Sequence, residues 1–458
     1  MNILQIVHNL PFFSRAGTEI YTFNLAKELV KKHNVTIVCR MCDERLPEYF
    51  VQLRKPGGLN TYLINNTFKH CNSLEEYYQN ARIDDCFARI LDEVKPDVVH
   101  IEHLIFLSLG MIEKIKEKQI PIVFTLHDFW LLCPCWHLLG SDNLPCLKAR
   151  VSAFDDACVH CLWGLFNINP TAKRYYRLMK RILPAALLIG MKNLYRYFMQ
   201  ARNTGGDPAE RLLLMSERIK GYLKEVDVFV SPSGYLMEDF IRFGIPRNKI
   251  LLKRHGIDLG LFKGTKKTKS GKVRFSFIGT LLPAKGLHVL LDAFDKVGGE
   301  IELNIYAKLR SYSGFEEYYE VIRRKIRDKN AGLMGEFDPS YAGEVFRGID
   351  VLVVPSIWNE NSPLVIHEAL ASNTAVIASR IGGIPELITD GVNGLLFEPG
   401  DPDDLAQKMR YLVDNPRSLG RIAGFDSKIK HIADYAQEME DLYDAVLKRG
   451  ALCGRQDP

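Results

Sequence analysis

No stretch of the 458-residue chain strings together the ~20 apolar residues that a membrane-spanning helix needs. The opening residues, Met1 to Val7, also lack the basic start and long apolar core of a secretory signal. Both absences predict a cytoplasmic protein, soluble or peripheral to a membrane. Charge of one sign is scarce as well: 60 Lys and Arg against 55 Asp and Glu leave a net charge of +5. Spread over the whole chain, that excess is too mild to argue for a nucleic-acid partner. Ten cysteines in so long a chain are too thin for a disulfide scaffold. Glycine at 34 and proline at 21 are ordinary for a globular chain and exclude collagen-like or wholesale disordered architectures.

What the chain does contain is a twice-repeated alternation. Short apolar runs at Ile3–Val7, Val35–Val38, Val98–Ile101 and Ile122–Leu126 read as buried parallel strands, separated by amphipathic segments such as Glu19–Lys32. The pattern resumes at Phe275–Ile278, Leu303–Tyr306, Val351–Val354 and Ala375–Ala378, with helices expected at Gly286–Lys296, Phe315–Arg327 and Pro363–Ala371. The chain is too long for one hydrophobic core. The expected fold class is therefore α/β, with two Rossmann-like, doubly wound parallel-sheet domains facing a central cleft. Residues 1–254 form the first domain, including a Cys-rich loop (133–161) and a basic amphipathic insertion (162–216). Residues 255–430 form the second, after a hinge near His255–Phe262, and residues 431–458 a helix and tail that returns toward the first domain.

One region breaks the alternation. Between Ala157 and Gly206 there is neither Asp nor Glu, while Lys173, Arg174, Arg177, Lys180, Arg181, Lys192, Arg196 and Arg202 flank the apolar run Ile182–Met191. Tyr175, Tyr176, Tyr195, Tyr197 and Phe198 stand on its shoulders. Such a segment suits the interface of an anionic membrane, at about 1 kcal/mol per basic residue. The alternative is that the run packs on the first domain with its charges solvated. Nucleic acid is disfavoured, because no base-reading motif accompanies the charge.

The strongest chemical signal is Trp358–Leu370, WNENSPLVIHEAL, just after the strand Val351–Val354. Glu360 and Glu368 bracket seven residues, and Ser362–Pro363 reads as a helix start, with Ser capping and Pro at the first helical position. A helix start presents unpaired N–H donors and a positive dipole end to an anion or a hydroxyl. Glu368, a turn and a half inside, could accept hydrogen bonds from a vicinal diol such as a ribose. Two carboxylates could also serve a hydrolase as acid and nucleophile, although placement around one helix start favours binding.

Here the chain resembles the retaining nucleotide-sugar glycosyltransferases of the large E-x7-E family, family 4-like enzymes with the two-domain GT-B fold. Further stretches match in order: Ser14–Glu19 (SRAGTE), Thr125–Asp128 (TLHD), Gly279–Gly286 (GTLLPAKG), Gly382–Glu386 (GGIPE) and Asp390–Gly394 (DGVNG). The resemblance implies transfer of a sugar from a nucleotide-diphosphate donor to an acceptor with retention of configuration. It implies catalytic roles for His127, Glu360 and Lys285. Donor binding falls to Gly17, Gly279, Lys285, Asn361, Ser362, Pro363, Leu364 and Glu368, with Glu368 on the ribose and Lys285 on the diphosphate. A glycine at position 17 leaves room for the backbone to approach phosphate or acceptor, where a Cβ would intrude. Two departures stand out: Ala16 replaces a usual glycine, and Thr280 stands where many relatives have an arginine, leaving Arg254 and Lys308 as weak substitutes. No metal is implied for catalysis. A glycan or lipid-linked acceptor is expected, because the basic segment lies in the acceptor-side domain. A non-catalytic nucleotide-sugar-binding protein and a nucleotide-sugar epimerase share the scaffold and remain as alternatives.

Five cysteines fall between positions 133 and 161. In a reducing compartment such clustering points to a structural zinc on Cys133, Cys146, Cys158 and Cys161, with Cys135, His137 or His160 as substitutes. An iron–sulfur cluster or plain reduced thiols fit the same spacing.

Overall fold

The computed structural model describes residues 1–68, 75–133, 146, 183, 187, 208–308, 310, 315–328, 331–423 and 429–453. The first half builds an eight-stranded sheet. Its strands are β1 (Asn2–Val7), β2 (Asn34–Met41), β3 (Val51–Arg54), β4 (Asn60–Asn65), β5 (Val98–Ile101), β6 (Ile122–Thr125), β7 (Val228–Ser231) and β8 (Ile250–Leu252). They lie in the order β3-β4-β2-β1-β5-β6-β7-β8, parallel throughout except for the β3–β4 hairpin at one edge. Central strands read VHI or FVS rather than alternating because both faces are covered by helices, so nearly every position is buried. One face packs Phe87, Ile112 and Phe240 into the core, the other Tyr21, Leu25 and Tyr443.

The second half is a six-stranded, wholly parallel sheet of β10 (Val273–Ile278), β11 (Ile301–Tyr306), β12 (Ala331–Leu333), β13 (Val351–Val354), β14 (Ala375–Ser379) and β15 (Leu395–Phe397). Its order is β12-β11-β10-β13-β14-β15. In both sheets the strand order reverses beside the first strand, at β1/β5 and at β10/β13. Ligands of doubly wound sheets bind outside the carboxyl ends of the strands at such reversals.

Two crossings tie the halves together. Gly256–Ile257 (β9) pairs in parallel with Lys430–His431 (β16), forming a two-stranded ladder where the chain leaves the first sheet and later returns. Gly256 is needed there: a Cβ would lie 2.8 Å from the His431 carbonyl oxygen and 2.9 Å from the Ile432 Cα. Beyond β16 the helix Ile432–Cys453 packs on the first half against the helix Gly17–Leu29, with the Tyr21 and Tyr435 hydroxyls 2.6 Å apart.

Candidate active site

The second-half wall of the cleft is built from loops after β10 and β13. After β10, Gly279 and Thr280 lead into a short 3-10 turn, Pro283–Lys285, closed by Gly286 in the left-handed region (φ 68°). A Cβ on Gly286 would sit 1.7 Å from the Pro355 carbonyl oxygen, so only glycine lets this loop lie against the exit of β13. The close approach delivers Lys285 to the second loop. Its Nζ donates to Glu360 Oε1 at 2.7 Å and lies 4.9 Å from the centre of the Trp358 ring. The same carboxylate oxygen accepts from Ser356 Oγ at 2.6 Å and Trp358 Nε1 at 2.8 Å. Glu360 is 5% exposed and Lys285 29%: a buried anion whose cation still reaches the cleft.

Gly382 and Gly383 hold the backbone of this loop. Gly383 N donates to the Glu360 carbonyl at 2.7 Å. Cβ atoms on the two glycines would fall 2.1 Å from the Glu360 oxygen and 2.0 Å from the Asn361 oxygen. The helix that follows, Leu364–Ala371, starts differently from the sequence expectation. Pro363 occupies the cap position in an extended conformation (φ −61°, ψ 115°), and no side chain caps the helix. The Ser362 hydroxyl is engaged instead by His367 Nε2 at 2.9 Å. The correction has a physical reason: the buried imidazole competes for the hydroxyl and leaves the first amides without a side-chain acceptor. Burial alone pushes the Glu368 carboxyl up to about 7, since no cation offsets the desolvation. Burial likewise depresses His367 to about 4, with Arg254 adding to the shift.

The first-half wall comes from the ends of β1, β5 and β6. His127 follows β6, and its Nε2 lies 2.9 Å from Glu102 Oε2, in the loop after β5. Burial drives His127 down to about 3 and Glu102 up to about 7. Next to them, His103 Nδ1 accepts from the Ile105 amide at 3.0 Å, which fixes the proton on Nε2, 3.2 Å from Asp128 Oδ2. Burial opposes ionisation of Asp128, yet the His103 and Trp130 hydrogen bonds hold it below the ordinary range. Across β1, His8 faces the buried Glu19 at 3.5 Å.

The two walls meet. Asn361 Nδ2 donates to the His127 carbonyl at 3.2 Å and Asn361 Oδ1 accepts from the Ser233 hydroxyl. Glu386 accepts from the Gly234 and Tyr235 amides at 2.9 and 2.7 Å, capping from the second half the helix Gly234–Phe243 of the first. Tyr235 reaches Asn359 at 2.7 Å, and Arg15 reaches Asp338 at 3.1 Å. Gly17 opens its helix opposite Leu364, where an added Cβ would make ordinary contact at 3.9 Å, so the protein itself places no steric demand for glycine there.

The structure thus brings Lys285 to Glu360 and Asn361 to the His127 backbone, with Ser362, Pro363, Leu364 and Glu368 continuing from Asn361 into the helix Leu364–Ala371, Gly17 opposite Leu364, and Gly279 on the loop that leads to Lys285. Arg254 is exposed, though close enough to depress His367; Lys308 is half-exposed and faces Glu336 at 3.5 Å. Sequence reasoning missed Glu102, His103 and the cross-cleft role of Glu386. A signal was there for the first two: HIEH places three polar groups at the end of an otherwise apolar strand, where this fold puts its functional loops. Of the cysteines, Cys133 is buried in the first core and Cys146 is half-buried. Cys158, Cys161 and the basic run 173–202, apart from Leu183 and Leu187, lie outside the described residues. Among the described residues no cluster of three or more His, Cys, Asp or Glu has metal-holding geometry, and no helix is long and apolar enough to cross a membrane.

Two Rossmann-like sheets with a shared cleft and a returning C-terminal helix define the GT-B class of sugar-transfer proteins. Two family models meet the chain, one in each half: Glycosyltransferase Family 4 over residues 15–188 and Glycosyl transferases group 1 over residues 272–415. The chain belongs to this family, the group 1 or family 4 glycosyltransferases, a retaining family. Among curated relatives, a D-inositol 3-phosphate glycosyltransferase of Corynebacterium kroppenstedtii is 34% identical over 190 residues, 38% of this chain and 41% of that one. An uncharacterized protein in the cps region of Klebsiella pneumoniae is 24% identical over 84% of this chain and 87% of its own. The chain therefore spans about two fifths of the corynebacterial relative and most of the Klebsiella one. In fold it is similar to Anabaena HepE, solved with UDP and glucose, at a TM-score of 0.63 and 15% identity over 97% of this chain and 99% of that one.

Proposed function

We propose that this protein transfers a sugar, with retention, from a nucleoside-diphosphate donor to a glycan or lipid-linked acceptor. The observation that carries the reading is the Lys285–Glu360–Trp358 cluster beside a helix start without a side-chain cap. A diphosphate needs a cation and free amides, and both stand at one point of the cleft. In this reading Lys285 exchanges part of its contact with Glu360 for the leaving phosphate, and Glu360 turns its remaining acceptor capacity to sugar hydroxyls. Glu368 receives the ribose diol, and His127 contacts the sugar near the reacting carbon.

Glu360 commits one oxygen to three donors, which suits holding a substrate rather than attacking it. That disfavours a hydrolase with Glu360 and Glu368 as its acid and nucleophile. Displacement on the same face, with the departing phosphate stabilised by Lys285, requires neither a protein nucleophile nor a metal. A structural zinc on Cys133, Cys146, Cys158 and Cys161, and contact of segment 173–202 with an anionic membrane at the cytoplasmic face, complete the proposal. One zinc per purified chain would support the former. Loss of co-sedimentation with anionic liposomes on deleting Lys173–Arg202 would support the latter.

The deciding experiment is a thermal-shift panel of nucleoside diphosphates and nucleotide sugars, followed by turnover with the best donor. A base-selective stabilisation that Glu368→Ala abolishes supports the reading. Binding without sugar transfer to any glycan or lipid-linked acceptor would favour a non-catalytic nucleotide-sugar-binding protein, and release of an isomerised sugar nucleotide an epimerase.

A further inference from the structure

Glu102 has no place in the donor site as described, yet it is fully buried and hydrogen-bonded to the one histidine expected to touch the sugar. We propose that Glu102 is a positioning residue that sets the tautomer of His127, and with it whether the ring presents a hydrogen-bond acceptor or a donor to the donor sugar. The proposal rests on the reading of His127 as a sugar contact.

The ring is held so that only one nitrogen is available. His127 packs against a pair of rings that touch each other at 4.2 Å: Tyr21, edge-on to it with ring centres 5.1 Å apart, and His255, stacked at 5.4 Å and 21°. Its Nε2 is bound to Glu102 at 2.9 Å. Its Nδ1 has no hydrogen-bond partner among the described residues and is the atom left for a ligand. An ionised Glu102 has only acceptors, so Nε2 must carry the proton and Nδ1 offers a lone pair. A protonated Glu102 donates its own proton to Nε2, and the ring proton then resides on Nδ1, which becomes a donor. In passing from the ionised to the protonated state the pair takes up one proton from solvent, and the imidazole stays neutral in both.

The surroundings favour this exchange over simple protonation of the ring. Glu102 Oε1 accepts from Gln5 on β1 at 3.3 Å and lies 3.4 Å from His100 on β5. From the helices, Tyr21, Tyr435 and Tyr443 face Glu102, while His8, Glu19 and Asp128 act on His127. No Lys or Arg is among these groups. Burial accordingly pushes the Glu102 carboxyl to about 7 and the His127 imidazole to about 3, so near neutrality the carboxyl is the member that titrates.

The test uses the full chain with 15N-labelled histidine, the His127 resonances being assigned by their loss in His127→Gln. Without any ligand, Nε2–H is expected above pH 8 and Nδ1–H below pH 6, and Glu102→Gln should abolish that pH-dependent exchange. In donor turnover, kcat/KM of Glu102→Gln should fall about tenfold or more at the wild-type optimum, as for loss of a hydrogen bond to a charged partner. The limb near pH 7 contributed by Glu102 should also disappear. Glu368 is pushed into the same range, so Glu368→Gln provides the reference for its share of the limb. A single His127 tautomer across the pH range in the wild type, or a Glu102→Gln profile that keeps the full wild-type limb, overturns the proposal. If Glu102→Gln does not fold, the wild-type titration decides alone. Absence of donor binding and turnover in the wild type would sink the proposed function, while the ligand-free tautomer measurement would still decide the role of Glu102.

Discussion

Replacing Glu368 by glutamine should stabilise the empty protein and weaken its hold on the donor, and the two effects should separate with pH. Burial raises the carboxyl from 4.5 to about 7 in the folded chain. A carboxyl whose folded pKa lies above its unfolded value binds the extra proton in the native state, so its contribution is fully present below about 4.5 and is lost as pH rises through about 7. The span between the two values corresponds to ~3 kcal/mol as an upper figure, and partial solvent access reduces it toward ~1 kcal/mol. Glu368→Gln removes this cost at high pH and nothing at low pH. Melting of the free protein should thus rise by about 2–12 °C at pH 8, at ~2–4 °C per kcal/mol for a domain of this size. At pH 4.5 it should coincide with the wild type. Donor-induced stabilisation should shrink at pH 8, because an amide presents one acceptor oxygen where the carboxylate offered two. Differential scanning calorimetry with and without nucleoside diphosphate, at both pH values, reads all four quantities. A variant no more stable than the wild type at pH 8, or one that keeps the full nucleotide shift, refutes the argument.

Lys285→Ala should lower kcat by about 10²–10³, the scale of losing one preorganised charge at a developing anion, with a change in folding stability near 1 kcal/mol; a drop below tenfold would assign the phosphate to another cation. Gly382→Ala should destabilise by about 2 kcal/mol or more, since the Cβ would collide with the Glu360 carbonyl at 2.1 Å and the residue has φ +60°, and urea unfolding measures it. Glu386→Ala removes an acceptor from two amides of the opposing half. At about 1–2 kcal/mol for a lost cap, small-angle scattering should show a shift toward open conformers and donor KM should rise; unchanged scattering and KM would make the contact incidental.

Most of the parallel strands were legible because burial on both faces makes each one a short apolar run, as in VLVV and AVIAS. β3, β4, β7, β12 and β15 were not: the edge strands VQLR and AGL carry too few buried positions to stand out from a loop, whereas VFVS, wholly buried between β6 and β8, is a four-residue run soon after the helix Pro208–Lys224. Within the site, Glu360, Glu368, Lys285 and His127 belong to local motifs whose spacing survives in one dimension. The Ser362 cap was misread because His367, the side chain that captures its hydroxyl, lies five residues on and competes with the backbone. Glu102 and Glu386 act through partners 25 and more than 150 residues away, and such pairings arise only when the loops converge. The glycines of GGIPE illustrate the same point: their reason is the carbonyls of Glu360 and Asn361 on another loop.

The contacts between the halves predict that domain closure and assembly of the proposed site are coupled. Asn361 sits in the loop after β13, beside Glu360, yet both ends of its side chain bond to the first half, at Ser233 and the His127 carbonyl. Glu386 crosses the cleft to the same region, and Tyr235 returns the contact to Asn359. Separating the halves would therefore release the loop that carries Glu360 at the same moment as it frees the backbone of His127. In the proposed reading, a donor engaging Lys285, Glu360 and His127 together would bind only the closed arrangement well and would shift the equilibrium toward it by its differential affinity. The β9–β16 ladder, which joins the two crossing segments themselves, would then serve as the pivot. If so, Asn361→Ala should raise donor KM and increase the open population together, while Asn361→Asp, which keeps the size but loses the amide donor to His127, should fall between the wild type and alanine. Tight donor binding by Asn361→Ala with an unchanged open fraction would uncouple closure from the site.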